Sequence, residues 1–68
     1  MIKVMELANT DANPNNYRIS AFADTKEEVD SGEFIGLPEG AEIEMGSTII
    51  TAAGEVAFRK SDGSWSWA

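Results

Sequence analysis

Over residues 46–67 the chain reads GSTIITAAGEVAFRKSDGSWSW, two turn signals set among short runs of β-prone residues. Thr48–Thr51 and residues 55–60 flank Ala52-Ala53-Gly54, a three-residue connection with glycine where a left-handed backbone is needed. That spacing predicts Thr51 opposite Glu55, Ile50 opposite Val56, Ile49 opposite Ala57 and Thr48 opposite Phe58. Asp62-Gly63, read as a two-residue turn, predicts a second hairpin. It sets Lys60 opposite Trp65, Arg59 opposite Ser66 and Phe58 opposite Trp67. A three-stranded meander is the expected centre of the fold.

Side chains alternate along a strand, so this register assigns faces. One face collects Ile50, Val56, Phe58, Lys60, Trp65 and Trp67; the other collects Ile49, Thr51, Glu55, Ala57, Arg59, Ser64 and Ser66. Phe58 and Trp67 form an expected core pair, worth roughly 0.2–1 kcal/mol beyond their neighbours. Lys60 is expected to lie over a more exposed Trp65, worth about 0.5–1 kcal/mol. An interaction surface is then expected at Trp65 and Lys60, at Ile49, Thr51 and Arg59 on the opposite face, and at Glu42 and Glu44 upstream.

The first part of the chain adds strands and one ambiguity. Residues 1–7 place Ile2 and Val4 on one side and Lys3, Met5 and Leu7 on the other, a first strand covered on both faces or an arm packed on a neighbour. Residues 8–16 (ANTDANPNN) form a loop, with Pro14 forbidding an α conformation at Asn13. Tyr17, Ile19 and Ala21 alternate against Arg18, Ser20 and Phe22 in a half-buried strand. Asp24 opens a helix signal with Glu27 three residues on, and Asp30-Ser31-Gly32 stops it within about two turns. The alternative is a hairpin pairing residues 26–29 with 33–35. Phe34, Ile35 and Leu37, then Ala41, Ile43 and Met45 opposite Glu42 and Glu44, are expected to lie across the sheet and close the core. The fold class expected is mainly β, a small antiparallel sheet with at most one short helix near residues 25–30. The 68 residues allow a single domain.

Composition removes several functions. There is no cysteine and no histidine, hence no disulfide, thiolate or imidazole ligand, and no imidazole general base. A domain of this size buries only about 60% of its unfolded surface, and without such supports small scaffolds rely on oligomerisation. No apolar run approaches the roughly 20 residues that span a bilayer, and residues 1–7 are too short and charged for a signal peptide. Synthesis in the cytoplasm is expected. Twelve acids against five bases give a net charge of −7, which repels phosphate and anionic membranes. Eight of the acids fall between Asp24 and Glu44, with Lys26 the only base among them.

Catalytic chemistry has little to work with. Any nucleophile would need Lys3, Lys26, Lys60 or a carboxylate as its base, and no phosphate-binding or nucleophile-elbow motif occurs. Asn9-x-Asp11-x-Asn13 has the spacing of an oxygen-rich calcium loop. It lacks the glycine and glutamate that complete one and has a single carboxylate, so it reads as a turn. No enzyme activity, cofactor or metal is expected.

The pattern Gly46-Ser47, Thr51, Gly54, Glu55-Val56-Ala57-Phe58 and Asp62-Gly63-Ser64-Trp65 resembles the ending of small proteins encoded by bacteriophages and prophages among virion structural genes. It covers about a third of the chain, and Leu37-Pro38-Glu39-Gly40 extends it upstream. The resemblance implies a head- or tail-associated accessory protein that acts through protein contacts, with itself or with virion proteins, and assembles as a multimer on the particle. It carries over no catalytic residue. Two alternatives from other classes are an acidic nucleic-acid mimic that blocks a host DNA-binding protein and a glycan-binding module using Trp65.

Overall fold

The computed structural model describes residues 1–9, 15–31 and 33–68. The chain is mainly β, one mixed sheet of seven strands and a single short helix among the described residues. The strands are β1 (Ile2–Ala8), β2 (Asn16–Ala23), β3 (Phe34–Ile35), β4 (Glu42–Ile43), β5 (Thr48–Thr51), β6 (Val56–Arg59) and β7 (Trp65–Trp67), with α1 (Glu27–Ser31) between β2 and β3. The sheet order is β3-β1-β2-β5-β6-β7, and β4 pairs with β2 ahead of β5. The sheet is not purely antiparallel, because β1–β3, β2–β4 and β2–β5 run parallel.

Residues 27–31 are helix rather than hairpin. The box at its start is closed by Glu28 instead of Glu27. The Glu28 carboxylate accepts from the backbone N–H of Asp24 at 3.0 Å and of Thr25 at 3.3 Å. One turn of acids at the helix start suits its positive end, and Val29 is turned down onto the sheet, 3% exposed. Residues 10–14, with the Asp11 and Asn13 of the calcium-like pattern, and Gly32 lie outside the described residues.

The first hairpin of the meander has the register its turn predicts, with Ile50 on Val56, Ile49 on Ala57 and Thr48 on Phe58. The second is shifted by one residue. Arg59 faces Trp65, Phe58 faces Ser66 and Ala57 faces Trp67. A two-residue turn on Asp62-Gly63 of the tightest hairpin kind needs positive φ at both residues, yet among the described residues only glycines have positive φ. The chain instead uses a three-residue connection, Ser61-Asp62-Gly63, with Gly63 at φ 88°. Lys60 N–H donates to Ser64 carbonyl at 2.8 Å and Gly63 N–H to Lys60 carbonyl at 3.1 Å. Gly54, at φ 87°, closes the other hairpin in the same way.

A slip of one residue turns every side chain of a strand to the other face, so both tryptophans join the face of Ile49, Thr51 and Ala57. That face is the core. Register places Val4, Ala21, Ile49, Ala57 and Trp67 in one row across five strands, and Phe34, Ile2, Ala23 and Thr51 in the next. Ile49, Ala23 and Ala57 are fully buried. To travel from β3, outside β1, to β4, beside β2, residues 36–41 must cross the sheet, and the packing of Phe34, Leu37 and Ile43 on the core puts the crossing on this same face. The alanines beneath leave room for α1 and the crossing segment to come close. Phe58, expected in the core, points the other way and is 45% exposed.

The edge of β2 shared by β4 and β5 is repaired by one side chain. Alternation stops at Glu44, and Met45, expected on the core side, is exposed in the turn that follows. Ser47 is fully buried there; its hydroxyl accepts from Ile19 N–H at 2.9 Å and donates to Glu44 carbonyl at 2.7 Å. A second irregularity lies in β1, whose pairing with β2 slips between Val4 and Glu6. Met5 and Glu6 thereby share the outer side, and Leu7 moves to the inner one.

Candidate functional site

The residues expected to form an interaction surface are separated by the fold. Ile49 and Thr51 are core, with the Thr51 hydroxyl accepting from Glu55 N–H at 3.1 Å and lying 3.3 Å from its carboxylate. Arg59 and Trp65 stay together, half-buried, with the guanidinium 5.2 Å from the indole centroid. Lys60 is not on Trp65; it is exposed in the turn, 3.9 Å from Asp62. The second indole, Trp67, carries Lys26 at 5.0 Å. Glu42 is exposed, while Glu44 is half-buried and its carbonyl is taken by Ser47.

Arg59 and Trp65 line a cleft of about 790 Å³ beneath the crossing segment, with Phe34, Leu37 and Ile43 as its apolar wall and Asp30 and Glu42 at its polar side. Phe34 stacks on Trp65 at 6.4 Å between centroids. The Arg59 Nε is buried and has no hydrogen-bond partner among the described residues. Cation and acids in one open cleft offset each other, and its walls are the fold's own aromatic packing.

The other sheet face is different in kind. Register lines up Ile35, Lys3, Phe22, Ile50 and Val56 across five strands, with Glu6, Ser20, Thr48, Phe58 and Ser66 in the row beside it. No described segment crosses this face. Phe22 and Ile50 are 39% and 49% exposed, and with Lys3 and Met5 they bound a shallow groove of about 370 Å³. A connected apolar row on a sheet, edged by polar groups, is the form of a protein-contact surface. Its residues were legible only in part. The alternation of Arg18, Ser20 and Phe22 against Tyr17, Ile19 and Ala21 already puts Phe22 outside, whereas Ile50 and Phe58 look like core until the second turn is known.

Asp62 is an acid perturbed by its own turn. The Ser64 side-chain and backbone donors, at 2.7 and 2.9 Å, hold its carboxyl below the ordinary value of 3.8. These contacts fix the turn at residues 61–64. No helix among the described residues is long and apolar enough to cross a membrane. No protein-family model matches the chain, and no curated protein sequence or solved structure matches it significantly.

Proposed function

We propose that the protein is a non-enzymatic interaction module, made in the cytoplasm and incorporated as a head or tail accessory into a phage or prophage particle. The observation that carries the interaction role is the uncovered outer face with Phe22, Ile50 and Phe58 exposed in neighbouring rows. Burying each such side chain against a partner is worth about 1.5–3 kcal/mol at most, and a 68-residue domain has little else to present. The particle role rests on the resemblance over residues 46–67. The residues that carry it are those that build the meander: Gly54 and Gly63 in the turns, Ser47 at the repaired edge, Ala57 and Trp65 on the inner face.

The test is mass spectrometry of gradient-purified particles from an induced lysate of the host. The expected result is the protein in the particle peak at fixed stoichiometry to other virion proteins. Recovery solely in the slow-sedimenting soluble fraction, with no virion protein bound, overturns the particle role.

A further inference from the structure

The outer face differs from the rest of the molecule in charge as well as polarity. Alternation places Lys3 and Arg18 there, with Lys60 and its partner Asp62 at the rim, against Glu6 and, opposite Asn16, Glu42. This leaves two bases against nine acids for the remainder of the chain. A protein of net charge −7 thus has one face that is not acidic, and it is the apolar one.

We propose that this face packs against the same face of a second copy, forming a two-layer sheet sandwich with α1 and the crossing segment on its outsides. The inference rests on the interaction role proposed above and names its first partner. Three observations select this occupant. Like-charged copies repel, and sheet-to-sheet contact turns the acidic sides of both copies outward. Stacked sheets lie about 10 Å apart, so the acids are farther apart than the screening length of about 8–10 Å. Next, a second outer face offers apolar side chains to Phe22, Ile50 and Phe58, whereas the acidic side would have to desolvate exposed carboxylates such as Asp24, Glu27 and Asp30 against them. Finally, the polar groups in the middle of the face are already paired, Ser20 Oγ and Thr48 Oγ1 lying 3.4 Å apart, so they enter a contact without a lost hydrogen bond. An isologous pair is also the commonest closed assembly, and it gives a sheet covered on one side its missing second layer.

The experiment is sedimentation equilibrium of the full chain from micromolar to millimolar concentration, at low and high salt. The expected species is a dimer that tightens as salt screens the net repulsion. Ile50→Lys and Phe22→Lys, each entering the contact twice, are expected to raise the dimer Kd by about a hundredfold or more, with circular dichroism and the monomer's unfolding cooperativity retained. Met45→Lys, exposed elsewhere, leaves it unchanged. A monomer throughout the range overturns the proposal, as does a dimer indifferent to both lysine variants. So does an assembly that grows past two copies and loosens with salt, the behaviour of the acidic side docked on the lysines and arginine of the outer face. A monomer still found in purified particles overturns the dimer alone and leaves the particle role standing.

Discussion

The backbone N–H of Ile19 donates to the Ser47 hydroxyl at 2.9 Å, so a side chain supplies the acceptor that a continuous strand beside β2 would have provided. The same hydroxyl donates in turn to the Glu44 carbonyl at 2.7 Å. Ser47→Ala leaves the buried Ile19 N–H unpaired, while the Glu44 carbonyl keeps the Ser47 N–H at 3.2 Å. The expected loss is about 1–3 kcal/mol, measured by urea unfolding. A Ser47→Ala variant as stable as the parent would show that water or a local shift replaces the hydroxyl.

The one-residue shift of the second hairpin makes neighbouring isoleucines in β5 unequal. Ile49→Ala removes a fully buried side chain and is expected to cost about 2–5 kcal/mol. Ile50→Ala, measured at low protein concentration where the monomer prevails, is expected to cost about 0.5 kcal/mol or less. Chemical denaturation of the pair reads out the face assignment directly, and a reversed order would restore the unshifted register.

Gly54 and Gly63 do the same work in the two turns, at φ 87° and 88°. Alanine at either position places an L side chain in left-handed backbone and is expected to destabilise by about 1–2 kcal/mol. D-alanine, introduced by chemical synthesis, is expected to be tolerated at both. A Gly63→Ala protein of undiminished stability would argue for a different turn at residues 61–63.

Asp62 gives a pH signature. Its folded pKa lies below the ordinary value of 3.8, first through the Ser64 hydroxyl and then the Ser64 N–H. A depressed acid favours the folded chain above the unfolded value, and that contribution fades as pH falls from near 4 through the folded pKa. Ser64→Ala is expected to move the Asp62 titration up towards 3.8, observed by carbon-detected NMR of its carboxyl. No movement would mean that the N–H alone sets the shift.

The mainly β class, the short helix and the first hairpin were legible because each depends on local chemistry: period-2 alternation in Tyr17–Phe22, acids at the helix start, glycine at position 54. The second hairpin was not. Asp-Gly is a strong two-residue turn signal, but Ser61-Asp62-Gly63 satisfies a three-residue turn equally well. Both faces of β5 and β6 are apolar, Ile49 and Ala57 on one and Ile50, Val56 and Phe58 on the other, so hydrophobicity did not arbitrate. The small size of Ala21, Ala23 and Ala57 was the overlooked sign of a closely covered face. The parallel pairing of β5 with β2 has no local signal at all, since it is fixed by where residues 36–41 cross. Of the expected surface, Ile49 and Thr51 pass into the core, while Ile50 and Phe58 lie outside.

The pairing of β2 with β5 divides the chain into two meanders, β1–β2 and β5–β6–β7, each closed by short-range contacts and joined along four residue pairs from Ser20–Thr48 to Ala23–Thr51. Ser20 and Thr48 are 28 positions apart, so loop-closure entropy has to be met before the seam yields any contact. Docking of the two pieces is then the slow event in folding. Changes at the seam, Ser47 among them, are expected to slow refolding, and changes at Gly63 to speed unfolding, as stopped-flow denaturant jumps would read. The serine that mends the ladder also sets how fast the chain finds it.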